Sequence, residues 1–244
     1  MTTFSAGIDS VIIQCKGSKI LGALYRGTGD GPRPTAVLIH GLPGVEKNLD
    51  IAYGLRDAGW NCLTFYHRGA WGSGGIYSLP GRQEDLSAVT EWILGQECVD
   101  AGRLALVGHS AGGYLVLTAG AMDPRYRAIV AICPLLSSKQ APLTPAEFEE
   151  FANFLQGITS AELQSQWAAL APVESVAARL RDRPVLIMTG REDSVFPPDH
   201  YPPLKEAVPT IEWHEFNNGD HSLSLCRREA VELTVKWLVS QLTH

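Results

Sequence analysis

The chain has 244 residues, 45% of them apolar and 19% charged, with a formal net charge of −6. That length holds one sizeable core with room for an inserted subdomain, and the composition excludes a disordered chain. An acidic balance without any run of Lys and Arg excludes phosphate-backbone recognition, so no nucleic-acid partner is expected.

In chain order, residues 1–7 carry neither a cationic start nor an apolar stretch, which predicts no secretory leader. Val11, Ile12 and Ile13 and the run 20–25 flank a turn-like segment at 16–19 and read as an antiparallel hairpin. A Gly/Pro loop at 27–34 leads to a wholly apolar strand at 36–39, of the kind buried on both faces of a parallel sheet. A helix is predicted at about 47–58, ended by Gly59, and a strand at 61–66. Residues 84–94 place Leu86, Val89 and Ile93 on one helical face. A strand at 104–107, a helix at 111–121 and a strand at 128–133 follow. Strands at 184–188 and 211–216 precede a last helix that carries Val231, Val235, Leu238 and Leu242.

This alternation predicts an α/β protein with a mainly parallel, doubly wound sheet of about eight strands and an antiparallel start. One connection is too long. A parallel crossover needs only a dozen or so residues, yet 135–183 separates the sixth strand from the next. Thr144-Pro145-Ala146-Glu147 has the form of a capping box with proline at the first helical position. Phe148, Phe151 and Leu155 follow on one face, and Gly157 is expected to stop that helix. Leu163, Trp167 and Leu170 mark a second. The expected organisation is a core of 1–134 and 184–244 with a small helical cap at 135–183, whose aromatics pack it onto the core.

No apolar run approaches the roughly 18–20 residues of a spanning helix, so no membrane partner is expected. Cys15, Cys62, Cys98, Cys133 and Cys226 are scattered and lack C-x-x-C spacing. They read as reduced thiols of a cytoplasmic protein, with no zinc site.

The chemistry centres on Gly108-His109-Ser110-Ala111-Gly112, a G-x-S-x-G motif set between a predicted strand and a predicted helix. A serine on so sharp a turn exposes its hydroxyl at the strand's end, and the glycines let strand and helix approach. A hydroxyl nucleophile needs a base, and the base needs an orienting carboxylate. In a doubly wound sheet these gather beyond the C-terminal ends of strands. Asp193 follows the 184–188 strand by a short loop, and His221 follows the 211–216 strand. Ser110, Asp193 and His221 stand in the chain order expected of such a site. The rivals are Glu192 beside Asp193, Asp220 beside His221, His214 within a strand, His109 within the turn itself, and His67, His200 and His244, which have no motif around them. Two backbone N–H groups are the candidate oxyanion donors. One is that of Ala111. The other is that of Leu42 in His40-Gly41-Leu42-Pro43-Gly44, where Pro43 has no N–H to give.

On these motifs, with Arg68-Gly69, Gly72-Ser73-Gly74-Gly75, the run 184–193 and Gly219-Asp220-His221, the sequence resembles the α/β-hydrolase superfamily. Within it, the chain is similar to the branch of bacterial carboxylesterases, feruloyl-esterase-like enzymes and the catalytic domains of prolyl-oligopeptidase-type peptidases. The resemblance implies Ser110 as nucleophile, His221 as base and Asp193 as orienter, with Leu42 and Ala111 forming the oxyanion hole. Serine at this position separates the chain from dehalogenases and epoxide hydrolases, which place Asp there, and from dienelactone-type hydrolases, which place Cys. One departure is Tyr66, where the branch often has an Asp two residues before the Arg-Gly pair. The expected activity is hydrolysis of carboxylic esters with small or aromatic acyl groups, on a small-molecule ester partner, with no cofactor and no metal. An aminopeptidase or acylaminoacyl-peptidase-like activity is the alternative, and would need a charge such as Glu147, Glu149 or Glu150 to hold a peptide terminus. A non-catalytic binding protein on a hydrolase scaffold is the reading from another class. Trp71, Tyr77, Phe196 and Pro197 are left open between pocket lining and packing.

Overall fold

In the computed structural model, which describes residues 2–141 and 143–242, the apolar runs of the sequence pair into one eight-stranded sheet. The strands are β1 (Thr3–Phe4), β2 (Gly7–Cys15), β3 (Ser18–Arg26), β4 (Gly29–Asp30), β5 (Arg33–Ile39), β6 (Asn61–Phe65), β7 (Val99–His109), β8 (Tyr126–Ile132), β9 (Val185–Gly190) and β10 (Glu212–Phe216). Short β1 and β4 form a ribbon of their own, and the main sheet runs β10-β9-β8-β7-β5-β6-β3-β2. β2 and β3 are the expected hairpin, with β3 antiparallel to β6 and every pairing from β6 to β10 parallel. The hairpin turns on Lys16 and Gly17, both at positive φ (48° and 77°), whose backbone twist matches that of the flanking strands.

The helices are α1 (Leu49–Asp57), α2 (Gly81–Leu94), α3 (Ala111–Met122), α4 (Pro145–Asn153), α5 (Ser160–Ala168), α6 (Ala177–Leu180), α7 (Pro202–Ala207) and α8 (Arg227–Leu242). They divide the interior into two cores, one on each face of the sheet. Along β7, Leu104 and Leu106 enter the core shared with α2, α3 and α5, while Ala105 and Val107 enter the one shared with α1 and α8. Burial on both faces is why the central strands read as unbroken apolar runs. Val231 and Val235 of α8 flank its buried stripe and lie against α1, where a Cβ on Gly54 would come within 3.2 Å of both.

Helices α4, α5 and α6 all fall between β8 and β9. The capping box at Thr144 and Glu147 forms as read, and a second, unread one joins Thr159 and Glu162 at the start of α5. Phe148 and Trp167 are buried edge to face, with ring centroids 6.2 Å apart, and join the core on that face of the sheet, whereas Phe154 is exposed. Gly157 is not what ends α4. That helix stops at Asn153, and Leu155 leaves it to pair with Ala70. There the Gln156 N–H donates to the Gly69 carbonyl (2.7 Å), and its own carbonyl accepts from the Tyr77 N–H (2.9 Å). A backbone strap to the loop after β6 therefore outweighs further helix. β7 begins five residues before the predicted strand, because a register shift joins the polar segment 99–103 to the apolar run. Among the described residues no helix is long and apolar enough to cross a membrane.

Several histidines are buried as neutral rings. Burial pushes His67 down from its ordinary 6.5 to about 4, His109 to about 3 and His200 to about 4. In the unfolded chain each titrates near 6.5, so below that pH the unfolded state binds more protons and stability falls as pH falls, until the folded groups also protonate. Each histidine contributes up to about 1.4 kcal/mol per pH unit in that window. The urea midpoint, followed by far-UV circular dichroism, is expected to drop between pH 7 and pH 5. A midpoint flat across that interval would contradict neutral burial.

Candidate active site

Ser110 sits where β7 hands over to α3, with φ 57° and ψ −122°. A side-chain-bearing residue held there costs of order 1–3 kcal/mol, so the surroundings must over-determine it. They do. A Cβ on Gly108 would lie 2.4 Å from the Gly112 carbonyl oxygen, and one on Gly112 would lie 2.3 Å from that of Ile39. Only glycine at both positions lets α3 press against the ends of β7 and β5. The Ser110 N–H donates to the Ile132 carbonyl (2.9 Å), and the Ser110 carbonyl accepts from the Tyr114 and Leu135 N–H groups (3.1 Å each).

This strain is shared. Among the described residues, non-glycine positive φ occurs once in the hairpin and otherwise at Asn48, Trp71, Ser110, Cys133 and Leu223. Those five lie in the connections leaving β5, β6, β7, β8 and β10, all at one end of the sheet. Clustered strain of this kind marks functional loops.

Asp193 and His221 meet at the same end. The Asp193 side chain is fully buried. Its Oδ1 accepts from the N–H groups of Val195 (2.8 Å) and Phe196 (2.9 Å), and its Oδ2 lies 2.8 Å from His221 Nδ1. That pairing places the imidazole proton on Nδ1 and leaves Nε2 as the basic nitrogen. The two loops converge because Gly190 and Gly219 touch: a Cβ on Gly190 would lie 2.2 Å from the Gly219 carbonyl oxygen. The Glu192 N–H donates to that same carbonyl (2.9 Å) while its side chain points to solvent, so Asp193 and not Glu192 reaches the histidine. Asp220 shapes the turn instead, its Oδ1 accepting from the Ser224 N–H (2.7 Å).

The other histidines have structural partners. His109 Nε2 donates to the His221 carbonyl (2.8 Å), which ties the His221 loop to the residue before Ser110. Burial first, then the nearby His221, keeps the His109 ring neutral. His200 Nε2 accepts from the Leu136 N–H (2.7 Å), and its ring stacks on Phe196, whose own ring meets His221 edge to face at 5.0 Å. Sequence alone singled out Phe196 without a role and gave His200 none; they form the apolar backing of His221. His214 packs on Phe216 within β10, and His244 lies outside the described residues.

The loop 40–44 lies over Ser110. A Cβ on Gly41 would come within 3.0 Å of Ser110 Cβ and 3.5 Å of Oγ. Among the described residues, neither the Leu42 nor the Ala111 N–H donates to a protein acceptor, so both are free to serve a ligand oxygen. Three groups hold the loop. His40 Nδ1 donates to the Gly41 carbonyl (2.7 Å), buried Arg82 donates to the His40 carbonyl (3.2 Å), and the Trp71 indole N–H donates to the Pro43 carbonyl (2.8 Å). Beneath it, buried Asp85 receives His67 Nδ1, the Arg68 N–H and the Arg68 guanidinium. Burial pushes the Asp85 carboxyl up, but the bonds from His67 and Arg68 outweigh it and hold it below the usual range. Arg82 and Asp85 were not legible as site residues, since each reads as one more charge on a helix. Tyr77 is buried packing, whereas Trp71 is 39% exposed and stacks on Phe154 of the insertion at 5.6 Å.

Cys133, Asp193 and His221 bring one donor atom each within 4.8 Å of one another, the one cluster among the described residues with metal-ligand chemistry. Burial, and then Asp193, pushes the Cys133 thiol well above its ordinary value, so it stands as a neutral thiol behind the His–Asp pair.

Comparison with known proteins identifies the fold and the family. The α/β hydrolase GrgF from Penicillium sp. sh18 superposes with a TM-score of 0.81 at 18% identity, covering 98% of this chain and all of that one. Est1E from Butyrivibrio proteoclasticus, with ferulic acid bound, superposes at 0.77 and 19% identity over 96% of this chain and all of its own. Likeness at this identity shows the fold, that of an α/β hydrolase. In sequence, the acylamino-acid-releasing enzyme of Sus scrofa is 28% identical over 238 residues, covering 86% of this chain and 31% of that enzyme. The matches cover 38% of an Escherichia coli relative and 64% of a Mycobacterium tuberculosis one, so this chain spans less than two-thirds of the length of these curated relatives. The model of the prolyl oligopeptidase family matches residues 76–244, a stretch that includes the strained serine, the buried aspartate and the histidine it orients. The chain belongs to the prolyl oligopeptidase family.

Proposed function

We propose that this protein is a serine hydrolase that cleaves carboxylic esters with small or aromatic acyl groups through an acyl-enzyme on Ser110. The observation that carries the reading is the 2.8 Å Asp193–His221 pair, which presents Nε2 as the basic nitrogen on a loop tied to the residue before the strained Ser110. In this reading Ser110 Oγ attacks the ester carbonyl carbon while His221 Nε2 takes its proton. The carbonyl oxygen becomes an oxyanion and receives the Leu42 and Ala111 N–H groups; one such donor is worth about 3–4 kcal/mol in the transition state. Collapse breaks the carbon–oxygen bond to the alcohol, which leaves with the proton from His221. Water then repeats the sequence on the acyl-enzyme and restores the serine. Asp193 orients the imidazole and stabilises the imidazolium.

The second reading, an acylaminoacyl-peptidase-like activity on amides, is favoured by the family and by the resemblance to the Sus scrofa enzyme. It needs an anchor for a peptide terminus. Glu147 is committed to its capping box, and Glu149 and Glu150 point to solvent, so these three residues offer none.

The test is hydrolysis of p-nitrophenyl esters from acetate to palmitate beside N-acetyl amino-acid p-nitroanilides. Esters cleaved far faster than anilides support the ester reading, and the reverse ranking transfers it to the peptidase. Ser110→Ala is expected to abolish turnover, a loss on the order of 10⁶ in kcat, with an unchanged circular dichroism spectrum. Asp193→Asn should cost about 10⁴ in kcat, and Glu192→Gln almost nothing; equal losses would leave the acid unassigned. Ser110→Gly should be inactive yet more stable than Ser110→Ala by about 1 kcal/mol, because glycine accepts a φ of 57° without strain.

A further inference from the structure

A cavity of about 180 Å³ opens over β3, β6 and the end of β5, on the opposite side of β5 from the strand that carries Ser110. Neither Ser110 nor His221 lines it. Its walls are apolar, chiefly Leu21, Ala23, Leu38, Leu49 and Phe65. Its lining also carries Lys47, Tyr66 and Tyr25. The Lys47 ammonium stands 4.7 Å over the Tyr66 ring, and it makes no ion pair among the described residues. Neither the Tyr66 nor the Tyr25 hydroxyl has a hydrogen-bond partner among those residues, though Tyr25 is 95% buried (5% exposed). Burial first, then Tyr53, Cys62 and Tyr66 beside it, pushes the Tyr25 phenol upward, so it stands protonated as a donor.

The acids beside Lys47 in the chain have other partners. Glu46 accepts from the Asn48 N–H (2.7 Å), and Asp50 is paired with Arg227. The remaining titratable group of the lining, His40, is kept neutral by burial and by the neighbouring His67 and Arg82. Among the described residues Lys47 is therefore the only charge on the cavity wall. The departure noted at Tyr66 belongs to the same feature. A carboxylate at this position would neutralise Lys47 and repel an anion, whereas a phenol supplies a donor and a face for the ammonium.

We propose that this cavity is a second small-molecule site, for a monocarboxylate with a short apolar tail, whose carboxylate meets Lys47 and the Tyr25 and Tyr66 hydroxyls while the tail lies against Leu21, Leu38 and Phe65. A cation beside two neutral donors suits the two oxygens of one carboxylate. The volume is below the roughly 300 Å³ at which drug-sized ligands begin, which restricts the tail to a short chain or a single ring. Acids of this class are what ester cleavage releases, but the site stands on its own lining and its test reads binding, so it does not depend on the ester reading.

The experiment is isothermal titration calorimetry of the whole chain with sodium hexanoate, and with hexanol and hexylammonium as charge controls. Hexanoate is expected to bind at one site, hexanol at least tenfold more weakly, and hexylammonium not at all. Lys47→Ala should weaken hexanoate at least tenfold and Tyr66→Phe by a smaller factor. Ala23→Phe, which fills the cavity from β3, should remove binding; Lys47→Ala and Tyr66→Phe lie near the surface and carry the test if that variant does not fold. Hexanoate bound with equal affinity by wild type and Lys47→Ala, or hexylammonium bound as well as hexanoate, overturns the proposal. So does binding that survives Ala23→Phe in a folded protein, which would place the acid at Ser110.

Discussion

The structure depends on one close backbone contact, the approach of the start of α3 to the ends of β7 and β5. With a side chain on Gly112 the helix would stand off from Ile39, and the turn at Ser110 would relax out of its positive φ. That contact sets where the hydroxyl points, aims the first N–H groups of α3 at the same space, and brings the loop 40–44 down over the serine. Strain at Ser110 is tolerated because β7 and its neighbours are buried on both faces and held by a continuous parallel ladder.

A second glycine contact does the same for the acid and the base. Gly190 and Gly219 meet backbone to backbone, so the loops leaving β9 and β10 arrive together and Asp193 is buried against His221. The energetics follow from burial: a carboxylate taken out of water must be matched, and Asp193 is matched by two N–H donors and one imidazole. Phe196 meets that imidazole edge to face, with His200 stacked behind Phe196. The loop over Ser110 is fixed differently, by a polar cluster of His40, His67, Arg68, Arg82 and Asp85 reaching from α2 and from the connection after β6. The helical insertion joins this arrangement at its edge, through the Trp71–Phe154 stack and the strap at Gln156.

The strands were legible because a sheet buried on both faces demands unbroken apolar runs, and β5, β8 and β9 show them. Their ends were less so. The extension of β7 back to Val99 depends on a register shift that has no local sequence signal. The end of α4 depends on a tertiary strap rather than on Gly157, whose positive φ of 73° serves the loop that follows. Capping boxes were readable in principle at both Thr144 and Thr159, since four residues suffice to form one.

What the sequence by itself determined is the layered α/β architecture and the placement of Ser110, a late carboxylate and His221 at strand ends, because periodicity and the G-x-S-x-G turn are local properties of the chain. Tertiary structure decided the rest. It chose Asp193 over Glu192, since adjacent carboxylates differ only in which one the Gly190–Gly219 contact turns inward. It turned Arg82 and Asp85 from helix charges into supports of the loop over Ser110. It assembled Leu21, Lys47 and Tyr66, from three separate segments, around one cavity. Contacts between segments distant in the chain are set by packing, and packing is resolved only when the whole core closes.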